Sequence, residues 1–295
     1  MAPHFVDDKT PLCVPFILER LRQHQATSPT RPFIIGLNGI QGAGKTTLVS
    51  ALSKALESQH VPTLVCSIDD FYLKHDDQVA LAKANADNAL LQHRGEPGTH
   101  DIPLAKSVFD ALVQHRPTKL PRYDKAAFSG QGDRLPESQW RPVNQPGQPP
   151  VQAVILEGWS VGFRPLEAAD VEARWNAPSR TLKQHRLEHL LLVNDKLREY
   201  DALTNLFDAF IHIDAEDLEY VYGWRLQQEE HLREDRGDPN AGMTAEQVVK
   251  FVDGYFPAYE LYTDGVRKGI LPQSQGAQLR LTVGKDRKTK HVVKV

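Results

Sequence analysis

The residues best placed to do chemistry in this chain stand where apolar runs end. Gly39-Ile40-Gln41-Gly42-Ala43-Gly44-Lys45-Thr46 satisfies G-x-x-x-x-G-K-[ST] and follows the apolar stretch RPFIIGLNG. Glycines let backbone N–H groups wrap an anion, and a helix N-terminus near Thr46 adds its dipole. In such a loop Lys45 reaches the β- and γ-phosphates of a nucleoside triphosphate, and the Thr46 hydroxyl ligates Mg²⁺. Gly39, Gln41, Gly42, Ala43, Gly44 and Thr47 complete the expected cradle. ATP and Mg²⁺ are the cofactors this implies.

Two further apolar runs close on acids. VPTLVCSI ends in Asp69 and Asp70, and QAVILEG ends in Glu157. Glu157 follows five mostly apolar residues at the same sheet edge as the P-loop. It reads as the acid that holds Mg²⁺ through water. A GTPase would need a DxxG strand end and an N/TKxD guanine motif, and neither is present. No signature of a large motor or pump ATPase is evident. A small-molecule kinase remains, beside the alternative of an ATP-binding regulatory switch that has no acceptor.

These groups need a frame to hold them. RPFIIGLNG reads as a buried strand. Leu48, Leu52 and Leu56 recur at helical spacing from Lys45 to Ser58, and VPTLVCSI returns to strand character. Strand, glycine loop, helix and strand make a βαβ unit, hence a parallel sheet with right-handed crossovers. VQAVILEG and LFDAFIHIDA read as further strands. Residues 12–25 read as an amphipathic helix with Pro15 in its first turn. QVALAKANADNALLQ, PLAKSVFDALVQH, LEYVYGWRLQQEEHLRE and TAEQVVKFVDGYFPAYELYTDGV read as helices, and the segment 128–150 as a loop. The expectation is one α/β P-loop NTPase domain over 1–295, with a doubly wound, mostly parallel sheet. It carries an N-terminal helical extension over 1–30, a helical lid over 218–256 and a C-terminal hairpin over 277–295.

Composition fits that frame. The chain has 295 residues, 40% hydrophobic and 25% charged, with net charge −3. That is an ordinary globular balance without the basic field of a nucleic-acid or membrane binder. Cys13 and Cys66 form no metal spacing, which suits a reducing compartment. MAPHFVDDKT lacks an apolar signal region and an Arg-rich transit pattern, so a cytoplasmic location is expected.

Several long strings together resemble one family. GIQGAGKTT, SIDDFYL, NALLQHRGEPGTHD, PRYDKAAFSGQGDR, LEGWSVGF, YVYGWRLQQE and AGMTAEQVVKFVDGYFPAY are similar to the D-glycerate 3-kinase family. That family, with plant members and fungal ATP-dependent kinase relatives, belongs to the phosphoribulokinase, uridine kinase and pantothenate kinase group. The resemblance spans about residues 33–265. PLEAADVEARWNAPSRTLKQHRLEH stands out as an insertion. The resemblance implies phosphorylation of D-glycerate to 3-phosphoglycerate, with another sugar acid or a nucleoside as the alternative acceptor.

Site roles follow from the resemblance and the chemistry together. Phosphoryl transfer to an alcohol asks for a phosphate cradle, Mg²⁺, a base or positioner for the hydroxyl, and positive charge. In related nucleoside and pantothenate kinases the Asp two places before the aromatic faces the acceptor hydroxyl; by position that is Asp69. Asp70 would then join the water shell of Mg²⁺. The competing role for either acid is to cap a following turn. Arg225, in the family's WRLQ string, would clamp the γ-phosphate; its competing role is a helical pair with Glu229. A small hydroxy acid needs a polar pocket with cations. The candidates are Arg94, His100 and Asp101 from HRGEPGTHD, and Arg122, Tyr123, Asp124 and Lys125 from PRYDK.

Overall fold

The computed structural model describes residues 7–28 and 30–295. Its central sheet grows from the apolar runs: β1 (Phe33–Gly39), β2 (Thr63–Ser67), β7 (Ala153–Gly158), β8 (Ala209–Ala215), β9 (Gln278–Val283) and β10 (Thr289–Lys294). β1 and β8 are buried at every position, and β7 at all but Glu157. Strands buried on both faces belong to a parallel sheet sandwiched between helices. The order is β10-β9-β8-β1-β7-β2, all parallel except β10, which returns antiparallel on β9. This is the expected P-loop α/β sheet with its C-terminal hairpin.

β2 does not lie next to the strand that feeds the phosphate loop, because β7 stands between them. In register, Glu157 pairs with Leu37 on one side and Ser67 on the other. The acid neighbouring the loop strand is therefore Glu157, and Asp69 stands one strand further out. Adjacency in sequence says little about adjacency in a sheet whose crossovers skip a strand.

The helices are α1 (Thr10–Thr27), α2 (Lys45–Ser58), α3 (His75–Ala84), α4 (Ile102–Val113), α5 (Ala168–Asn176), α6 (Leu187–Leu197), α7 (Asp201–Thr204), α8 (Tyr220–Arg236), α9 (Ala245–Asp253) and α10 (Phe256–Lys268). Leu48, Leu52 and Leu56 of α2 are fully buried, as their spacing predicts; truncating one such leucine to alanine costs about 2–5 kcal/mol. Of the expected N-terminal extension, residues 1–6 and Pro29 lie outside the described residues. α1 starts earlier than expected, so Pro11 occupies the first turn and Pro15 stands inside the helix. There its missing N–H leaves the Pro11 carbonyl without the usual partner.

Two expected helices are broken. The helix expected over 78–92 stops at Ala84 and is followed by a short 3-10 turn at Ala89–Leu91, where the Asn88 side chain accepts the Leu90 N–H. Asn favours such caps over helix interiors. The long C-terminal helix divides at Gly254 and restarts at Phe256 with Pro257 in its first turn, the position proline tolerates best. The expected loop over 128–150 contains pieces of two small antiparallel ladders. These pair β3 (Thr118–Leu120) with β6 (Arg141–Val143), and β4 (Tyr123–Asp124) with β5 (Asp133–Arg134). Two or three residues show no readable periodicity. The insertion forms α5 and the start of α6 and docks on α10: Arg174 donates to the Glu260 carbonyl (3.0 Å) and the Thr181 N–H to its carboxylate (3.0 Å). Among the described residues no helix is long and apolar enough to cross a membrane.

Candidate active site

Between β1 and α2 the chain turns through Gly42 (φ 80°) and Gly44 (φ 95°), left-handed conformations that glycine adopts without strain. Gly42 is constrained twice, since a Cβ there would lie 2.6 Å from Trp224 Cβ on α8. Lys45 Nζ donates to the Gly39 carbonyl at 2.8 Å and the Ile40 carbonyl at 3.3 Å, which folds its side chain back along the loop. Desolvation lowers the Lys45 pKa, while the Glu157 and Asp69 carboxylates work the other way.

Two cavities meet at this loop and share Gly42, Lys45, Thr46 and Gln228. One, of about 390 Å³, is walled by Asp69, Glu157, Arg225, Lys125 and Arg94. The other, of about 910 Å³, runs past Thr47 between α8 and the β9–β10 turn. A triphosphate lying along the loop would thus point its transferable end into the smaller cleft and run its remaining phosphates and nucleoside into the larger. Thr46 and Glu157 both open onto the smaller cleft and offer hard oxygen donors. Among the described residues no three His, Cys, Asp or Glu side chains converge into a metal cage. Oxygen ligands supplied partly by one or two side chains and partly by phosphates are what Mg²⁺ prefers, so the residues present fit that ion.

The two adjacent aspartates diverge. Both sit in a 3-10 turn over Ile68–Phe71 that Ser67 opens. Asp70 turns back to accept the Ser67 N–H at 2.9 Å, closing a capping box with the Ser67 hydroxyl. Burial, with Asp69 and Glu157 nearby, pushes its pKa up to about 6. Asp70 is absent from the cleft wall, and its carboxylate serves the turn. Asp69 points into the cleft. Its Oδ2 accepts from Lys125 Nζ at 2.5 Å, its Oδ1 is buried, and the Tyr72 hydroxyl also acts on the carboxylate. Burial alone would raise the Asp69 pKa, but the Lys125 ammonium, with His100 and the Tyr72 hydroxyl behind it, holds the carboxyl below its ordinary value.

The cations divide between the cleft and its supports. Arg225 reaches the wall from α8, with Nη1 on Gln228 (3.0 Å), Nη2 on Glu229, and its charge 5.0 Å from the Phe251 ring centre. Its Nε is buried without a partner among the described residues. Glu229 is itself buried and also accepts the Met243 N–H at 2.8 Å, so pair and helix connection are one unit. Arg94 lines the cleft while donating to the carbonyls of Gly130 (2.7 Å) and Gln131, and it lies 5.7 Å from the Tyr123 ring centre. It therefore braces the loop that presents Lys125.

The other acceptor-pocket candidates stand outside the cleft wall. His100 is buried; its Nδ1 meets the Tyr200 hydroxyl at 2.6 Å, and burial lowers its pKa to about 4. Asp101 caps α4 through the Leu104 N–H (3.0 Å) and pairs with Arg134 at 2.9 Å. Asp124 accepts the Ala126 N–H, Arg122 is exposed, and Tyr123 sits edge-on to Tyr72. His100 stacks on Tyr72 at 4.3 Å and Arg134 holds the Tyr72 carbonyl at 3.1 Å, so this group fixes Tyr72, which does line the cleft. Sequence reasoning missed Tyr72, Trp159, Phe251 and Tyr255 as wall residues. A signal existed: Tyr72 and Trp159 closely follow strand-end acids within the same strings that carry Asp69 and Glu157.

Comparison with known proteins now bears on the site. The KAP family P-loop domain profile matches residues 21–113. The chain is 42% identical over 235 residues to a Schizosaccharomyces pombe protein named uncharacterized kinase mug58, covering 79% of this chain and 81% of that one. The structure of a D-glycerate 3-kinase from Cryptococcus neoformans superposes with a TM-score of 0.88 at 33% identity, covering 98% of this chain and 100% of that one. The chain belongs to the D-glycerate 3-kinase family. As a member it is an ATP-dependent phosphotransferase of the P-loop kinase class, and the regulatory-switch alternative is not favoured. Chloroplastic D-glycerate 3-kinase of Arabidopsis thaliana is 40% identical over 236 residues, 78% of this chain but 48% of that longer protein.

Proposed function

We propose that this kinase transfers the γ-phosphoryl group of MgATP to D-glycerate, giving ADP and 3-phosphoglycerate. The observation that carries the reading is Asp69, a mostly buried carboxylate in the wall of a small cationic cleft beside Lys45, paired there with Lys125. The acceptor hydroxyl would donate to the Asp69 carboxylate. As its oxygen bonds to the γ-phosphorus, the bond to the β,γ-bridging oxygen breaks and the proton passes to Asp69. Lys45 and Arg225 would offset charge on the transferring group. Bound Mg²⁺, held by Thr46 directly and by Glu157 through water, would draw negative charge from the β- and γ-oxygens. Lys125 carries three donors and spends one on Asp69, so it can also meet the acceptor's carboxylate. The family relationship, with relatives named D-glycerate 3-kinase, supports glycerate as that acceptor.

A neighbouring cavity of about 440 Å³ shares Arg94, Phe251 and Tyr255 with the cleft, which leaves room for a longer polyhydroxy acid. The test is therefore a panel. ADP release is measured with D-glycerate, L-glycerate, larger sugar acids and nucleosides, and the product is identified. D-Glycerate is expected to give the highest kcat/KM. A nucleoside or larger acid in first place would overturn the acceptor assignment, and no acceptor above the water background would overturn the mechanism.

A further inference from the structure

The larger cavity has a wall that the phosphate motif does not supply. The β9–β10 turn contributes Lys285, Asp286, Arg287 and Lys288, which face Gln227 and His231 of α8 across the opening. This turn is tied to the phosphate loop itself. Arg287 Nε donates to the Gly42 carbonyl at 2.7 Å, and its guanidinium lies 5.1 Å from the Trp224 ring centre. Trp224 Nε1 in turn donates to the Lys285 carbonyl at 2.8 Å. From beneath, Lys9 Nζ donates to the Arg287 carbonyl at 2.7 Å, and the Thr289 N–H donates to the Asp8 carboxylate at 2.6 Å. Three separate elements thus converge on one hairpin tip, far more than a solvent-exposed turn needs to keep its shape.

The charge pattern matches the geometry. Lys285, Arg287 and Lys288 against Asp286 leave the tip at 3 − 1 = +2, with Glu230 the acid on the opposite wall. Lys285 and Lys288 are exposed, and among the described residues no hydrogen bond commits either ammonium group. The cavity volume of about 910 Å³ lies within the range of small-molecule and cofactor sites.

We infer that the 284–288 turn is the outer jaw of the nucleotide site, where Lys285, Arg287 and Lys288 bind the polyphosphate of ATP or ADP. Arg287 also acts on the loop itself, since by occupying the Gly42 carbonyl it fixes that backbone from outside and leaves the anion side to N–H groups. Asp8 and Lys9 are positioning residues that brace the jaw. The inference rests on the nucleotide reading of the phosphate loop and is independent of which acceptor the enzyme uses.

Calorimetric titration of ADP into the full chain, with no acceptor present, tests it. The double variant K285A/K288A removes two exposed charges and is expected to keep the wild-type melting temperature. Its Kd for ADP should rise about three- to tenfold at low ionic strength, with the gap narrowing near about 0.5 M salt as exposed charges are screened. R287Q should weaken ADP at both salt levels, because its contact with Gly42 is half-buried. Wild-type affinity in K285A/K288A at low salt would overturn the jaw assignment. Failure of the wild type to bind ADP would instead overturn the nucleotide reading, and a failed acceptor panel would touch neither.

Discussion

Lys125 Nζ and Asp69 Oδ2 meet at 2.5 Å although the two residues are 56 positions apart. The contact joins the loop after β4 to the turn after β2 and lowers the pKa of the carboxylate proposed to meet the acceptor. Lys125 is well exposed and Asp69 mostly buried, so the pair lies at the mouth of the cleft, where the lysine can pivot.

That pairing fixes the sign of a pH effect. A base is active when deprotonated, and turnover is lost as pH falls through its pKa. Burial raises the Asp69 pKa, and Lys125, with smaller help from His100 and the Tyr72 hydroxyl, more than cancels the rise. Lys125→Met removes the largest influence set against burial and leaves only His100 and the Tyr72 hydroxyl, so the acid limb of the kcat/KM profile should move to higher pH, with a raised KM for the acceptor. Identical acid limbs in the variant and wild type would refute this control.

Asp70 should behave in the opposite way to its neighbour. With a folded pKa of about 6 against an ordinary 3.8, its carboxyl favours the protonated form in the fold. It therefore exacts no charge penalty below about pH 4, a growing one from pH 4 to 6, and a full one above that. The gap of about two units corresponds to a cost on the order of 2–3 kcal/mol at neutral pH. Asp70→Asn keeps an oxygen for the Ser67 N–H and removes the charge. Its melting temperature should exceed wild type at pH 7 and converge with it near pH 4, while turnover stays within a few-fold. A loss of turnover as large as that of Asp69→Asn would return Asp70 to the metal's surroundings.

The Arg225–Glu229 pair separates structure from catalysis. Arg225→Ala leaves a buried carboxylate unpaired, which typically costs about 3–5 kcal/mol. Arg225→Ala with Glu229→Gln should recover much of that stability, yet kcat should remain down by about 10²- to 10³-fold if the guanidinium serves the transition state. Thermal melts and initial rates on the same samples decide it. Recovery of both together would make Arg225 purely structural.

Much of this was legible in the sequence because it is local. The phosphate loop is eight contiguous residues, and the strand ends at Asp69 and Glu157 announce themselves by an acid after an apolar run. What was hidden depends on distance or on ambiguity of role. A carboxylate after a strand can cap a turn or face a ligand, and only the Ser67 N–H on Asp70 separates the two. The cations of HRGEPGTHD and PRYDK look equivalent in sequence. In space Lys125 reaches Asp69, Arg94 braces its loop, and His100 with Asp101 fixes Tyr72. The place of β7 between β1 and β2 is likewise a matter of crossover, on which local pattern is silent. The Arg287–Gly42 contact spans 245 positions and has no signature at all.

The central claim is that Asp69 meets the hydroxyl that becomes phosphorylated, and Asp69→Asn tests it most directly. With D-glycerate and saturating MgATP, kcat should fall by about 10²- to 10⁴-fold while the Kd for ADP stays within about twofold of wild type. A variant that binds ADP normally and turns over D-glycerate at a near wild-type rate would contradict it.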